Sequence, residues 1–146
     1  MQKKWSTLCL IISSTLSSLA MAVTLEDFAG SYKAEGSNTA ETCPQAVTIL
    51  VGHGPYAENI IYLGFVSTDV NGNPSISYTQ FQLGENHTDE FQINTEIVDN
   101  QIIEKTFRQN EIIATRTLVL ADDAQTRLVY SKISPVVSFT CSFLKI

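Results

Sequence analysis

Arg116 carries the most pointed chemistry in this chain. It stands in the run Ile112-x-Ala114-x-Arg116-x-Leu118-x-Leu120, a cation two residues from an apolar neighbour on either side. Alternate residues of an extended strand share a face, so the pattern sets a guanidinium in an apolar wall. The preceding run, Ile103-x-Lys105-x-Phe107, repeats the device with an ammonium group. A cation removed from water is costly unless something pairs it. A wall presenting Arg116, with Lys105 and Phe107 beside it, therefore suits the carboxylate or phosphate of an amphiphilic small molecule. The other assignment turns Arg116 outward and gives the core to Ile113, Thr115, Thr117 and Val119. Lys105 then lies along the surface or pairs with an acid on a neighbouring strand.

Other reactive residue types are sparse. The only histidines are His53 and His87. His53 sits between Gly52 and Gly54 ahead of Pro55, where turn chemistry accounts for it. His87 lies among Glu85, Asp89 and Glu90, a solvated acidic loop whose spacing matches no metal-ligand pattern. There is no Gly-x-Ser-x-Gly elbow and no His-Glu-x-x-His pair. An enzyme is not expected, nor a metal or cofactor. Asn86-His87-Thr88 is a glycosylation sequon, relevant in a eukaryotic secretory pathway.

The start of the chain says where such a molecule would work. Met1-Gln2-Lys3-Lys4 is basic, an apolar run opens at Leu8-Cys9-Leu10-Ile11-Ile12, and Ala20-Met21-Ala22 has the small-x-small form that signal peptidase cuts. A membrane anchor needs about 20 predominantly apolar residues, and serines and a threonine dilute this stretch too far. Residues 1–22 thus read as a signal peptide and 23–146 as one domain, exported to the periplasm or beyond. Trp5 and Cys9 leave with the leader.

Cys43 and Cys141 remain, an even pair that reads as a disulfide in an oxidising compartment. It would close a loop of about 100 residues, worth up to about 4–5 kcal/mol in the chain-entropy view. The formal charge is −6 for the whole sequence. Without Lys3 and Lys4 it becomes −8, from seven basic and fifteen acidic residues. Nucleic acid and anionic membrane are poor partners for such a surface, whereas a basic protein is electrostatically compatible.

Short alternating runs separated by turn residues fill the rest, with no linker or internal repeat. They predict about eight to nine strands and an all-β, antiparallel up-and-down barrel, with a Greek-key sandwich as the alternative. Phe28–Glu35 is the first strand, preceded by room for one helical turn in Val23–Ala29 with Thr24 as its cap. Asn71-Gly72 marks the strongest hairpin turn. Gly84–Glu90 is expected to be a polar loop. In the last strand Val137, Phe139, Cys141 and Phe143 share a face, which brings Cys141 near the early chain if the last strand closes on the first.

The segment Leu25-Glu26-Asp27-Phe28-Ala29-Gly30-Ser31-Tyr32 resembles the opening of lipocalin-like barrels of the calycin superfamily. Those begin with an apolar residue, a helical turn and Gly-x-Trp on the first strand; here Tyr32 stands in the tryptophan's place. The chain departs from relatives of that fold in having no two-helix lid between its first strands and no helix after its last. The resemblance implies binding of a small apolar molecule, or a stable exported scaffold, and brings no catalytic residue. The function expected is an exported lipocalin-like barrel that binds a small hydrophobic or amphiphilic ligand. The second reading is a periplasmic or secreted protein-interaction module, such as an inhibitor of lysozyme-type hydrolases.

Overall fold

The computed structural model describes residues 22–36, 43–122 and 124–146, so the leader expected over 1–22 falls outside it except for Ala22. Thr24 opens a single helical turn, α1 (Leu25–Phe28), and the Asp27 carboxylate accepts from the Thr24 N–H at 2.7 Å. Leu25 and Phe28 turn inward and are buried.

Ten strands follow: β1 (Gly30–Ala34), β2 (Ala46–Val51), β3 (Ile60–Thr68), β4 (Pro74–Gln82), β5 (Gly84–His87) and β6 (Gln92–Val98). The remaining four are β7 (Gln101–Arg108), β8 (Glu111–Leu120), β9 (Arg127–Ile133) and β10 (Ser138–Lys145). The expected count is short by the strand hidden in Gly84–Glu90. Glu85, Asn86 and His87 lack the apolar alternation of a strand, yet they pair with Asn94, Ile93 and Gln92 of β6. A neighbour's ladder supplies what the segment's own pattern does not.

All the strands lie in one antiparallel sheet, ordered β4-β3-β2-β1-β10-β9-β8-β7-β6-β5. Consecutive strands are hydrogen-bonded to each other at every step but one, from β4 to β5, and one further pairing closes the order. β1 pairs with β10, joining the two ends of the chain. β4 and β5, consecutive in sequence across Leu83, form the two edges. The sheet curls round until β4 and β5 border a common seam, where the Asn86 amide donates to the Gln82 carbonyl at 3.3 Å but no backbone ladder forms.

Successive turns alternate between the two ends of the barrel, and the halves are built differently. The end covered by α1 is filled: Phe28, Ile49, Ile61, Phe81, Ile102, Leu120 and Leu128 are all buried there. Gly30 makes that closure fit. Its φ is +142°, and a Cβ on it would stand 2.8 Å from Lys145 Cε. Two residues on, Tyr32 is fully buried and its hydroxyl donates to the Phe28 carbonyl at 2.8 Å, tying β1 to α1. In the opposite half the inward positions become polar, with Ser67, Ser77, Thr79, Thr95, Glu104, Arg116 and Lys132. The Cys43–Cys141 disulfide sits at that half, its Cα atoms 5.5 Å apart, with Cys141 buried between Phe139 and Phe143 on the predicted face of β10.

Candidate functional site

The site begins with one irregularity. The β7–β8 hairpin turns through Gln109 and Asn110, both at positive φ, the conformation of a tight two-residue turn. Next to it Arg108 faces Glu111 and Phe107 faces Ile112. A bulge between Thr106 and Phe107 then leaves Ile113 unpaired and advances the register by one. Beyond the bulge Glu104 stands directly opposite Arg116.

Inner-face residues continue this row across the wall, with Thr95 opposite Glu104, Lys132 opposite Arg116, and Phe139 opposite Lys132. Arg116 is inward, the first of the two assignments its alternation leaves open, and the next residues along its face, Leu118 and Leu120, are buried. Its guanidinium grips Glu104 as a fork: Nε donates to Oε1 at 2.7 Å and Nη2 to Oε2 at 2.9 Å. Planar two-point contacts of this kind are the strong form of the charged hydrogen bond.

The same guanidinium then reaches across the barrel. Nη1 donates to Thr79 Oγ1 at 2.5 Å and Nη2 to the Gln80 carbonyl at 2.8 Å, while Cζ lies 4.5 Å from the centre of the Phe81 ring. All three acceptor or ring partners lie on the edge strand β4. Arg116 is thus a strut from β8 to the seam. Burial pulls the guanidinium's pKa down, but the bonds and charge of Glu104 outweigh it and hold it above the ordinary arginine value. Burial likewise raises the Tyr130 phenol, against an opposing pull from Arg116.

Two pockets border the strut. One, of about 460 Å³, opens on the outer surface between β4 and β5, where the exposed outer-face residues Tyr62, Tyr78, Gln80 and Gln82 line it with Asn86, and reaches in to Ile93, Glu104 and Arg116. The other, of about 280 Å³, lies towards the open end among Pro44, Phe65, Ser67, Ser77, Tyr130, Lys132 and Phe139. Tyr78, Thr79 and Arg116 border both. Three of the second chamber's rings form a cluster, with Phe65 and Tyr130 centroids 5.1 Å apart and Tyr130 and Phe139 5.8 Å apart.

Lys105 and Phe107 are not part of this wall. They alternate with buried Ile102 and Glu104 along β7 and so occupy the outer face. Ile112, which the simple alternation of β8 places inside, follows Phe107 outward and is 55% exposed. The physical reason is the bulge. A bulge-free hairpin counted from Gln109-Asn110 sets Ile103 opposite Arg116 and Lys105 opposite Ala114, the grouping expected from sequence. The extra residue exchanges that face of β7 for Ile102, Glu104 and Thr106.

Sequence reasoning missed Glu104 and Lys132. Both had a signal in alternation, in Ile102-x-Glu104 and in Leu128-x-Tyr130-x-Lys132. Alternation favours the wrong β7 face, because Ile103 and Phe107 make it more apolar than the face of Ile102, Glu104 and Thr106. His87 pairs with Glu85 at 2.8 Å on an exposed surface. No cluster of three or more metal-ligating side chains occurs among the described residues.

This architecture has counterparts among solved structures. The wild-type fluorescent protein UnaG matches with a TM-score of 0.53 at 12% identity, over 84% of this chain and 100% of that one. A variant of UnaG matches with a TM-score of 0.52 at 13% identity, over 84% of this chain and 98% of that one. What is shared is the fold, an antiparallel up-and-down β-barrel. The lipocalin-like opening at Gly30-Ser31-Tyr32 thus lies in a barrel of the expected kind, with ten strands. No protein-family model and no curated protein matches the chain. At such low identity the likeness extends to the fold alone and not to any particular ligand.

Proposed function

We propose that this protein is an exported binding barrel that holds one small amphiphilic molecule in the open half of its interior. The observation that carries the reading is the unequal filling of the barrel. One half is filled by buried apolar side chains, while inner-face residues of the other line an open pocket of about 280 Å³, which meets at Arg116 a pocket of about 460 Å³ that opens outward between β4 and β5. Side chains complete a core wherever nothing else must enter, because interiors pack to crystal-like density. Chambers of this size, with apolar rings on one side and a few fixed polar groups on the other, have the make-up of small-molecule sites.

Export is supported by the leader pattern of residues 1–22 and by the Cys43–Cys141 bridge, a bond that persists in oxidising compartments. Among the described residues no helix is long and apolar enough to cross a membrane. The mature chain would begin at Val23.

Native mass spectrometry of the protein, purified without delipidation, tests the reading. The expected spectrum shows the Val23–Ile146 mass with its disulfide and a non-covalent small-molecule adduct that delipidation removes. A bare mass before delipidation, with no uptake of an apolar fluorescent probe afterwards, would overturn it.

A further inference from the structure

We infer that the molecule held in this barrel carries a single negative charge, and that Lys132, not Arg116, receives it. The inference rests on reading the open half as a ligand chamber. The charged residues bordering the two chambers are Glu104, Arg116 and Lys132, one acid and two bases. Glu104 spends both carboxylate oxygens on the Arg116 fork. Arg116 has its remaining reach committed to Thr79 and Gln80. That pair is closed on itself, and an incoming anion would have to break it.

Lys132 is differently placed. It sits directly opposite Arg116 on one side and Phe139 on the other, facing the smaller chamber. Among the described residues no acid lies within ion-pair distance of its ammonium, although the chain as a whole is strongly acidic. Among the described residues, two cations on adjacent inner-face positions with only one acid leave the chamber wall one positive charge in excess. A half-enclosed, low-dielectric setting strengthens the attraction of such a charge for an anion compared with open water.

The surrounding surfaces define the rest of the ligand. Phe65, Tyr130 and Phe139 present an apolar ring cluster on one side of the ammonium, and Ser67, Ser77 and Thr79 offer hydroxyls on another. A carboxylate that accepts from Lys132, on an apolar body laid against the rings, satisfies both. The geometry points to a monocarboxylic acid of medium chain length or a single aromatic ring system. The outward-facing Lys105 has no part in it.

Matched probes test this, with decanoate and decanol each displacing a fluorescent apolar reporter from the delipidated protein. The parent should bind decanoate at least about tenfold more tightly than decanol, a difference of about 1.4 kcal/mol. Lys132→Gln should erase that preference by weakening decanoate alone, and Lys132→Arg should restore it, with melting temperatures unchanged. If both probes bind and the preference survives in Lys132→Gln, the inference fails and the ligand-chamber reading stands. If neither probe displaces the reporter in the parent, the chamber reading fails and takes the inference with it.

Discussion

Arg116 and Glu104 form a pair whose value depends on both being present. Their side chains are 18% and 8% exposed, so each would be left largely desolvated without the other. Removing one partner of a buried pair typically costs about 3–5 kcal/mol, because the survivor keeps its burial and loses its counter-charge. Glu104→Leu should therefore destabilise strongly in urea unfolding, and Arg116→Met should do the same while also releasing the Gln80 carbonyl. The double variant should cost less than the two singles combined, by about 0.5–3 kcal/mol of coupling. Strict additivity would show that the fork contributes nothing as a unit. Two exposed aspartates make a different prediction. Backbone N–H donors from Asn73 and Asn71 hold Asp69 below its ordinary pKa, and the Thr126 hydroxyl with the Arg127 N–H does so for Asp122. Both folded values are depressed, so their contribution is present above the unfolded carboxylate value of about 3.9 and is lost as pH falls through the lower folded values. Asp69→Asn with Asp122→Asn should lower the melting temperature at neutral pH, leave it close to the parent's at acid pH, and so flatten the acid limb of the profile. An unaltered acid limb would sink the assignment. Arg116 was legible in the sequence because alternation alone marks a cation in an apolar run. Its partner was not, because a counter-charge is chosen by register and not by spacing along the chain.

The element that decides the register is β8, through its single bulged residue. Ile113 lies outside the span that pairs with β9, which begins at Thr115, so only the β7 ladder feels it. Deleting Ile113 should produce a regular hairpin in which Phe107 still faces Ile112 and Glu104 still faces Arg116. A one-residue deletion in mid-strand normally inverts every side chain beyond it. Here the extra residue is the one removed, and stability should stay within about 1 kcal/mol of the parent, inside the range of ordinary point changes. Deleting Val119 instead, within the span paired on both sides, should prevent folding. Equal damage from the two deletions would mean that the bulge does not set the register. The same residue explains why the strands were readable and the inner face of β7 was not. Turn residues and alternation mark where β7 and β8 begin and end. A bulge leaves no comparable mark, since Ile112-Ile113 reads equally well as part of a continuous strand.

At the scale of the whole molecule, the connections are local except at one joint. Strand follows strand around the barrel, and the two ends of the chain meet where β1 pairs with β10. That ladder has three register pairs, Tyr32 with Lys145, Lys33 with Leu144 and Ala34 with Phe143, against seven between β9 and β10. Beside it the Cys43–Cys141 bridge spans 98 residues of sequence. Joining distant parts of a chain is where a cross-link removes most entropy from the unfolded state, by about 4–5 kcal/mol for a loop of this length. The expected pairing of β1 with β10 and of the two cysteines follows from the alternating face of β10, which ends in Cys141 and Phe143. How short the joint ladder is could not be read there, because it depends on where α1 stops and Gly30 turns. The disulfide therefore guards a short closure, the one that joins the two ends of the chain. In the reduced protein, native-state hydrogen exchange should show the joint opening before the rest. The Glu35 N–H, bonded to the Ser142 carbonyl, and the Ile146 N–H, bonded to the Ser31 carbonyl, should exchange with little dependence on urea. Amides of the β7–β8 hairpin should keep the steep urea dependence of global unfolding. A single steep dependence shared by all of them would mean that the barrel opens only as a whole, and that the bridge stabilises it globally without protecting this joint.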